Sequence, residues 1–214
     1  FGPQIRGGES SFRLRVSTGP VLGPGGALDV AVALNWDDFL KFGAELSLDG
    51  RSIVIYDTNT KVAPDQIPVA GVKPAEVVAV GIEAMARETA GTDKAKNTVV
   101  LGLMAGWFGL APETVRAGLR KRFAKKGEEV VARNEKAFEA GFAWAQANPL
   151  RTGQALAPMP AGTSAKLVAD GNDLCAAAAI VAGCEFFGGY PITPSSEIMH
   201  FLNREIWKYG GVML

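Results

Sequence analysis

The sequence predicts an α/β protein in which strands and helices alternate early and helices dominate later in the chain. The early part contains apolar runs at residues 27–34 and 52–56, each with the composition of a strand that is buried on both faces. Residues 74–148 instead carry repeated helix start and stop signals, with proline or asparagine at starts and glycine at a stop. These patterns predict an α/β domain that ends in a helical part.

The composition is that of a globular protein without marked charge. Hydrophobic residues make up 48% and charged residues 21% of the 214 residues, and 22 basic side chains balance 22 acidic ones. A balanced chain has no electrostatic footprint for nucleic acid or an anionic membrane, so neither is expected as a partner. The most apolar segment, residues 99–111, is shorter than the roughly 20 residues that span a bilayer and predicts a buried helix. With no secretory signal, a cytoplasmic location is expected.

Cys175 and Cys184 are the only cysteines of the chain. Their spacing fits no zinc or iron–sulfur ligand set, so we expect no metal bound by this chain. Two buried, reduced thiols are predicted instead.

The first predicted elements surround the two apolar runs. Residues 11–17 alternate apolar and polar side chains, which predicts a strand with one buried face. Residues 27–34 are predicted to form a central strand, and Asn35 is expected to cap the helix that follows. The inward stripe of that helix is predicted to consist of Trp36, Phe39, Leu40 and Gly43.

The strand predicted at residues 52–56 ends in three polar residues, Asp57, Thr58 and Asn59. Open α/β sheets bind their ligands at such strand ends, so these residues are candidates to line a cleft. A strand-end turn explains them equally well.

Four helices are predicted after this strand. Pro74 at a first helical position begins a helix that runs to about Thr89 and is stopped by Gly91. Asn97 then heads the apolar helix. Pro112 opens a basic third helix, and a long amphipathic helix covers residues 128–148.

The last part of the chain begins with a change of composition. Residues 150–165 are rich in Pro, Gly, Ala, Ser and Thr and lack periodicity, which indicates a linker. A short strand at 166–170 and an alanine-rich helix at 173–184 are predicted beyond it. Because the chain opens at Phe1 without Met and ends at 212–214 in an apparent strand start, we expect part of a longer polypeptide.

A segment near the end of the chain, Tyr190-Pro191-Ile192-Thr193-Pro194-Ser195-Ser196-Glu197, carries the strongest chemical signal. Pro194 suits a first helical position, which places Thr193 at the N-cap with its hydroxyl accepting from the amide of Ser196. The helix is predicted to stop at Gly210-Gly211. A helix start rich in hydroxyls is a natural site for a carboxylate or phosphate, although capping alone requires no ligand.

Residues 188–198, Gly-Gly-Tyr-Pro-Ile-Thr-Pro-Ser-Ser-Glu-Ile, resemble the start of the alpha subunit of 2-oxoacid:ferredoxin oxidoreductases. The flanking Asp170-Gly171-Asn172 and Gly210-Gly211-Val212 also fit that subunit. The first 148 residues are similar to the gamma domain of these enzymes, through Ile5-Arg6-Gly7-Gly8-Glu9-Ser10-Ser11 and through residues 97–102. The resemblance therefore covers the whole chain in the fused gamma–alpha order.

This resemblance implies the domain organisation. Residues 1–149 are expected to form a Rossmann-like gamma domain with a helical C-terminal part, lacking the first strand and Gly-rich turn of the family. Residues 150–165 form the linker. Residues 166–214 are expected to be the start of a thiamine-diphosphate-binding, pyrimidine-type α/β domain.

The resemblance also implies an activity, the oxidative decarboxylation of a 2-oxoacid. The fused order favours 2-oxoglutarate, which would yield succinyl-CoA, with pyruvate or an aryl pyruvate as alternative substrates. A non-catalytic module for assembly or coenzyme A docking is a further alternative. The implied cofactors are thiamine diphosphate with Mg, shared with a beta subunit, coenzyme A as co-substrate, and a [4Fe-4S] cluster on the partner subunit.

The implied partners are the beta subunit, a second alpha–beta unit and ferredoxin. The family's activating glutamate would lie beyond Leu214, so this chain alone is expected to be inactive and no residue is assigned as catalytic. The residues implied in the substrate and cofactor cleft are Tyr190, Pro191, Ile192, Thr193 and Ser195.

Within this cleft, Thr193 is expected to hydrogen-bond the substrate carboxylate or the cofactor. Arg6 with Gly7 and Gly8 is implied in binding coenzyme A or facing the cleft, although a tight turn with a solvated arginine fits equally well. His200 is predicted on a helix surface. The basic run at residues 121–126 is explained by the helix dipole, with docking of a partner as the alternative.

Overall fold

The structure, a computed structural model, describes residues 11–17, 19, 21, 23, 25–43, 46–60, 69, 71–152, 155–157, 169–192 and 195–214. It divides into two compact units. The large unit is Glu9–Met159, and the small unit combines Phe1–Gly8 with Pro160–Leu214. Within the described residues, no helix is long and apolar enough to cross a membrane.

A three-stranded parallel sheet lies in the large unit, in the order β1 (Val30–Ala33), β2 (Ile53–Asp57) and β3 (Glu76–Val80). All five residues of β2 are buried, because it has a neighbour on each side and both of its faces are covered. The predicted strands at 27–34 and 52–56 are confirmed. The central position predicted for the first is wrong, since β1 lies at an edge of the described sheet.

Helix α1 (Trp36–Lys41) covers one sheet face through its first turn. The predicted cap is confirmed, because the Asn35 side chain accepts from the amide of Asp38 at 2.7 Å. Trp36 packs edge-on against Phe39 with ring centroids 5.2 Å apart. The predicted stripe is wrong at its other two members, Leu40 and Gly43, which are exposed because this six-residue helix buries only its first turn.

Residues 74–89 do not form one helix as predicted. They contain β3 and then helix α2 (Ile82–Ala90), which ends at Gly91 with the positive φ of 69° expected of a helix stop. The β3 sequence, EVVAV, is rich in β-branched residues, and β2 offers it a free edge for parallel pairing. Pairing with β2 therefore overrides the proline start signal.

The three later helices are confirmed as α3 (Lys96–Phe108), α4 (Pro112–Phe123) and α5 (Glu128–Ala147). Side chains of α2, α3 and α5 form the main core with the β2 residues Ile53 and Ile55. The alternate β2 residues, Val54 and Tyr56, pack with Trp36 on the opposite face. Successive side chains of β2 therefore point to opposite faces of the sheet and contribute to two different hydrophobic cores.

Three glycines allow α3 and α5 to pack backbone against backbone. A Cβ atom on Gly102 would lie 2.1 Å from the carbonyl oxygen of Phe138, and one on Gly141 would lie 2.2 Å from that of Val99. At Gly106 it would lie 2.7 Å from a methyl group of α5. Because side chains cannot occupy these positions, the helices interlock more closely than apolar side chains alone would allow.

Residues 11–17 form no strand, contrary to the prediction. The apolar side chains are exposed, with Phe12 at 86% and Leu14 at 70%. An alternating pattern is a local signal, whereas a strand also needs a partner for its backbone groups, and none of the described residues pairs with this segment.

The small unit contains helix α6 (Gly171–Val181), strand β4 (Phe186–Phe187), helix α7 (Ser196–Glu205) and strand β5 (Val212–Met213). The two strands pair in parallel. The predicted alanine-rich helix, the stop at Gly210 (φ 82°) and the final strand are confirmed. Of the strand predicted at 166–170, residues 166–168 lie outside the described residues and 169–170 are not in a strand.

The prediction that the two cysteines are buried is wrong. Cys175 is exposed and Cys184 is half-buried. In the described part of α6 only Ala176 is fully buried, because the helix packs against the described residues over a narrow stripe.

Candidate functional site

The candidate site segment connects β4 to α7. Tyr190 is 80% and Ile192 59% exposed, and Pro191 is exposed between them. The amide of Ile192 donates to the carbonyl of Tyr190 at 2.8 Å, which closes a tight turn around the proline. Thr193 lies outside the described residues.

Helix α7 begins at Ser196, two residues later than predicted. The amide of Ser196 donates to the Ile192 carbonyl at 3.0 Å, and the exposed Ser195 hydroxyl donates to the same carbonyl at 2.8 Å. The predicted hydrogen bond from Ser196 to the Thr193 hydroxyl involves a residue outside the described part of the chain and stays a prediction. A single backbone oxygen satisfies both donors, because the chain already turns at Ile192.

The start of α7 is linked to the start of α6. Asn172 donates to the Glu197 carboxylate at 2.9 Å, and Asp170 caps α6 by accepting from the amide of Asp173 at 2.8 Å. The sequence did not predict the Asn172–Glu197 contact. The polar Asp-Gly-Asn run at the start of α6 was its only signal, and its partner lies 25 residues further along the chain.

The described residues of this segment fit one side of a thiamine-type cofactor. The exposed faces of Tyr190 and Ile192 suit an uncharged ring, and the Ser195 hydroxyl adds a polar group. No group of three His, Cys, Asp or Glu residues that could hold a metal ion lies together among the described residues. His200 is exposed on α7, as predicted.

The second candidate set, Arg6, Gly7 and Gly8, lies outside the described residues. Its assignment to coenzyme A or to the cleft stays a prediction. The sequence pattern alone supports it: a guanidinium beside two glycines suits a phosphate or carboxylate.

The polar residues at the carboxyl end of β2 have a structural role. Asp57 is only 1% exposed. Its two oxygens accept from the amide of Glu83, in the first turn of α2, at 3.0 Å and from that of Asn59 at 3.2 Å. The Asn59 side chain in turn donates to Glu83 at 2.7 Å. The sequence allows these residues to be interpreted either as the lining of a cleft or as a strand-end turn. The structure supports the turn, because their polar groups form hydrogen bonds with one another.

Glu83 joins several elements at this edge of the sheet. Its carboxylate accepts from the Arg87 guanidinium at 2.9 Å and from Lys96, at the start of α3, at 3.4 Å. The hydrogen bond from Arg87, followed by the charge of Lys96, lowers the pKa of Glu83 below its ordinary value. The ionised form is therefore stabilised in the folded protein.

This shift predicts a pH-dependent stability. A lowered folded pKa contributes stability that is complete above the unfolded value of about 4.5 and is lost as the pH falls through the folded pKa. We expect the Tm of wild type to exceed that of Glu83→Gln above pH 4.5, and the difference to shrink in more acidic buffer. Thermal denaturation of both proteins across this range measures it. A difference that does not change with pH would contradict the assignment.

The family described as pyruvate ferredoxin/flavodoxin oxidoreductase matches residues 1–144. The chain is similar to the 2-oxoglutarate oxidoreductase subunit KorA of Mycobacterium tuberculosis, with 28% identity over 92% of the chain and 33% of that protein. It is also similar to the 2-oxoglutarate synthase subunit KorA of Methanocaldococcus jannaschii, with 61% identity over 41 residues, which are 19% of this chain and 11% of that subunit.

A solved structure matches nearly the whole chain. It is the 2-oxoglutarate:ferredoxin oxidoreductase from Magnetococcus marinus with 2-oxoglutarate, coenzyme A and succinyl-CoA bound. The TM-score is 0.74 at 30% identity, covering 92% of this chain and 33% of that one. The chain thus spans about a third of the longer relatives it matches. Since the family match covers well over half of its residues, the chain belongs to the pyruvate ferredoxin/flavodoxin oxidoreductase family.

Proposed function

We propose that the chain functions within a 2-oxoacid:ferredoxin oxidoreductase that converts 2-oxoglutarate and coenzyme A to succinyl-CoA and CO2 and reduces ferredoxin. The observation that carries this proposal is the match, along 92% of the chain, to an enzyme solved with 2-oxoglutarate and coenzyme A bound. The KorA relatives, named for 2-oxoglutarate, support the same substrate.

Thiamine diphosphate is the proposed cofactor, and Tyr190, Pro191, Ile192 and Ser195 would contact its pyrimidine side. Bound there, it supplies the electron sink that loss of CO2 from a 2-oxoacid requires. From the family resemblance we assign the Mg ion to a site shared with a beta subunit, and a [4Fe-4S] cluster to that partner subunit.

Two roles in substrate binding are proposed for residues beyond the described part of the structure. The Thr193 hydroxyl would donate a hydrogen bond to the substrate carboxylate. Arg6, beside the backbone of Gly7 and Gly8, would bind coenzyme A through a charge-assisted hydrogen bond to a phosphate. Both groups would hold and orient the substrates rather than take part in proton transfer.

The proposed organisation follows the same resemblance. Residues 1–149 would act as the gamma domain, 150–165 as linker and 166–214 as the start of the pyrimidine-type domain. The partners would be a beta subunit, a second alpha–beta unit and ferredoxin, within the cytoplasm. A chain without these partners is expected to be inactive.

Pyruvate or an aryl pyruvate is the second candidate substrate. The observation that favours it is the description of the matching family, which names pyruvate. Both substrates present a 2-oxo group beside a carboxylate, so the same threonine would serve either. The discriminating feature is the second carboxylate of 2-oxoglutarate, which needs an additional cation.

The activity test uses the natural full-length chain expressed with its partner subunits. Reduction of a viologen should require coenzyme A and proceed with a higher kcat/KM for 2-oxoglutarate than for pyruvate. The reverse preference would establish the second candidate. No reduction with either substrate would contradict the proposed function.

The role of Thr193 is tested in the same complex. Thr193→Ala is expected to lower kcat/KM by about tenfold or more, because one hydrogen bond to a charged group contributes roughly 1.5–3 kcal/mol. Thr193→Ser keeps the hydroxyl and should retain most of the activity. Equal kinetics for the alanine variant and wild type would leave Thr193 without a role in substrate binding.

A further inference from the structure

The end of α4 carries an unneutralised basic surface. Lys121, Arg122, Lys125 and Lys126 are exposed, and none forms an ion pair with a described residue. Arg120 differs, since Glu135 binds it at 2.5 Å. The chain as a whole has no net charge. This local excess of positive charge is therefore a feature of one surface and not of the composition.

A glycine lies at the start of the same surface, and packing against the described residues does not account for it. Gly118 is exposed inside α4, and a Cβ atom there would have no heavy atom of a described residue within 4 Å. Glycine in a helix interior is less stable than alanine. At Gly102 close packing against α5 explains why glycine and not alanine occupies the helix interior. At Gly118 the fold offers no such reason.

The glycine and three of the cations form one site. Lys121, Arg122 and Lys125 follow Gly118 at intervals of three, four and seven, which places all of them on one helix face. They line an open depression of about 420 Å³. Lys125 lies in the 3-10 helix Ala124–Lys126 that continues α4. The absent side chain of Gly118 leaves an incoming group room beside the three cations, at the start of the row.

We propose that this basic depression, formed by Gly118, Lys121, Arg122 and Lys125, docks a carboxylate-rich segment of a partner protein. The three cations are spread over about 6 Å along the helix, at 1.5 Å per residue, and three separate positive side chains suit several neighbouring carboxylates. Opposite charges at such a rim accelerate encounter and fix register. The inference does not depend on the substrate of the enzyme.

The geometry favours carboxylates over other anions. A phosphate site of the usual kind uses the amides of a helix N-terminus, whereas this surface lies at a C-terminus, where carbonyls are exposed. The aromatic ring of Phe123 is half-buried, with the Lys126 ammonium 5.6 Å from its centre, so it offers no platform for a nucleic-acid base or a membrane anchor. The helix dipole favours cations here but does not explain a glycine.

The test measures binding of a fluorescein-labelled polyglutamate peptide to the full chain by fluorescence anisotropy at physiological ionic strength, where exposed charges more than about 8 Å apart are largely screened. Combined Lys121→Glu, Arg122→Glu and Lys125→Glu should weaken binding by at least about tenfold. The control combines Lys73→Glu, Lys94→Glu and Lys136→Glu, three exposed lysines elsewhere with the same total change of charge. It should retain binding within about twofold.

Gly118→Ala separates docking from folding. It should raise the Tm, because alanine favours the helix and meets no neighbour, and yet weaken peptide binding by about threefold by filling the depression. Three results would overturn the proposal: equal losses in the two triple variants, wild-type binding by Gly118→Ala, or equally tight binding of heparin or phosphatidylserine vesicles. Equal losses in the two triple variants would mean that peptide binding depends only on net charge. Equally tight binding of heparin or vesicles would assign the surface to another class of polyanion.

Discussion

Replacing Gly102 by alanine is expected to destabilise the large unit by at least about 3 kcal/mol, more than the usual range for overpacking a core. The new methyl group would lie 2.1 Å from the Phe138 carbonyl oxygen, which is far inside van der Waals contact. That oxygen belongs to helix backbone and has no side-chain freedom with which to move away. The two helices would have to separate, and α3 and α5 both contribute to the main core.

Gly118→Ala is the matched control for this experiment. It is the same substitution inside a helix of the same unit, but its methyl group would have none of the described residues within 4 Å. Alanine should stabilise this helix by about 1 kcal/mol relative to glycine. Urea denaturation followed by circular dichroism measures both changes.

The two substitutions should therefore shift the unfolding midpoint in opposite directions. Gly141→Ala, on the other side of the same contact, should behave like Gly102→Ala, because its methyl group would lie 2.2 Å from the Val99 carbonyl oxygen. Wild-type stability for either variant would mean that α3 and α5 do not pack in this way.

The second large effect is expected at Asp57. Asp57→Ala should destabilise the protein by about 2–3 kcal/mol, because the buried carboxylate caps α2 and removing it leaves two amide donors without acceptors. Those donors are the amides of Glu83 and Asn59, at 3.0 and 3.2 Å. The loss should appear as a lower midpoint in urea.

Asp57→Asn is the control for this prediction. It keeps one acceptor oxygen and nearly the same volume, so its cost should be about half that of the alanine variant. An alanine variant as stable as the asparagine one would show that the carboxylate does not cap α2. Ligand binding at the carboxyl end of β2 would then be the remaining interpretation of Asp57.

The elements that the sequence predicted well are those specified by near neighbours. Asn35 caps α1 through the amide three residues later, and Gly91 ends α2 through its own backbone conformation. Pro112 begins α4 for the same local reason, since a first helical position needs no amide hydrogen. These signals depend on residues within about one helical turn, so they can be recognised in the sequence without knowledge of the fold.

The failed predictions depended on distant partners. Residues 76–80 carry both a helix start signal and a strand composition, and only the free edge of β2 decides between them. Residues 11–17 have the pattern of a strand but pair with no described residue. Helix α7 begins at Ser196 and not at the predicted Pro194, and the Ile192 carbonyl accepts from both the Ser196 amide and the Ser195 hydroxyl.

The sequence by itself determined the family, through residues 188–198 and their flanks, and most helix limits. It also identified the residues proposed to bind substrate, because a motif retains its residue types whether or not its surroundings are known. The tertiary structure alone decided that Asp57 caps α2, 26 residues further along the chain, and that Gly102 and Gly141 meet. Such contacts join residues far apart in sequence, so no local pattern specifies them.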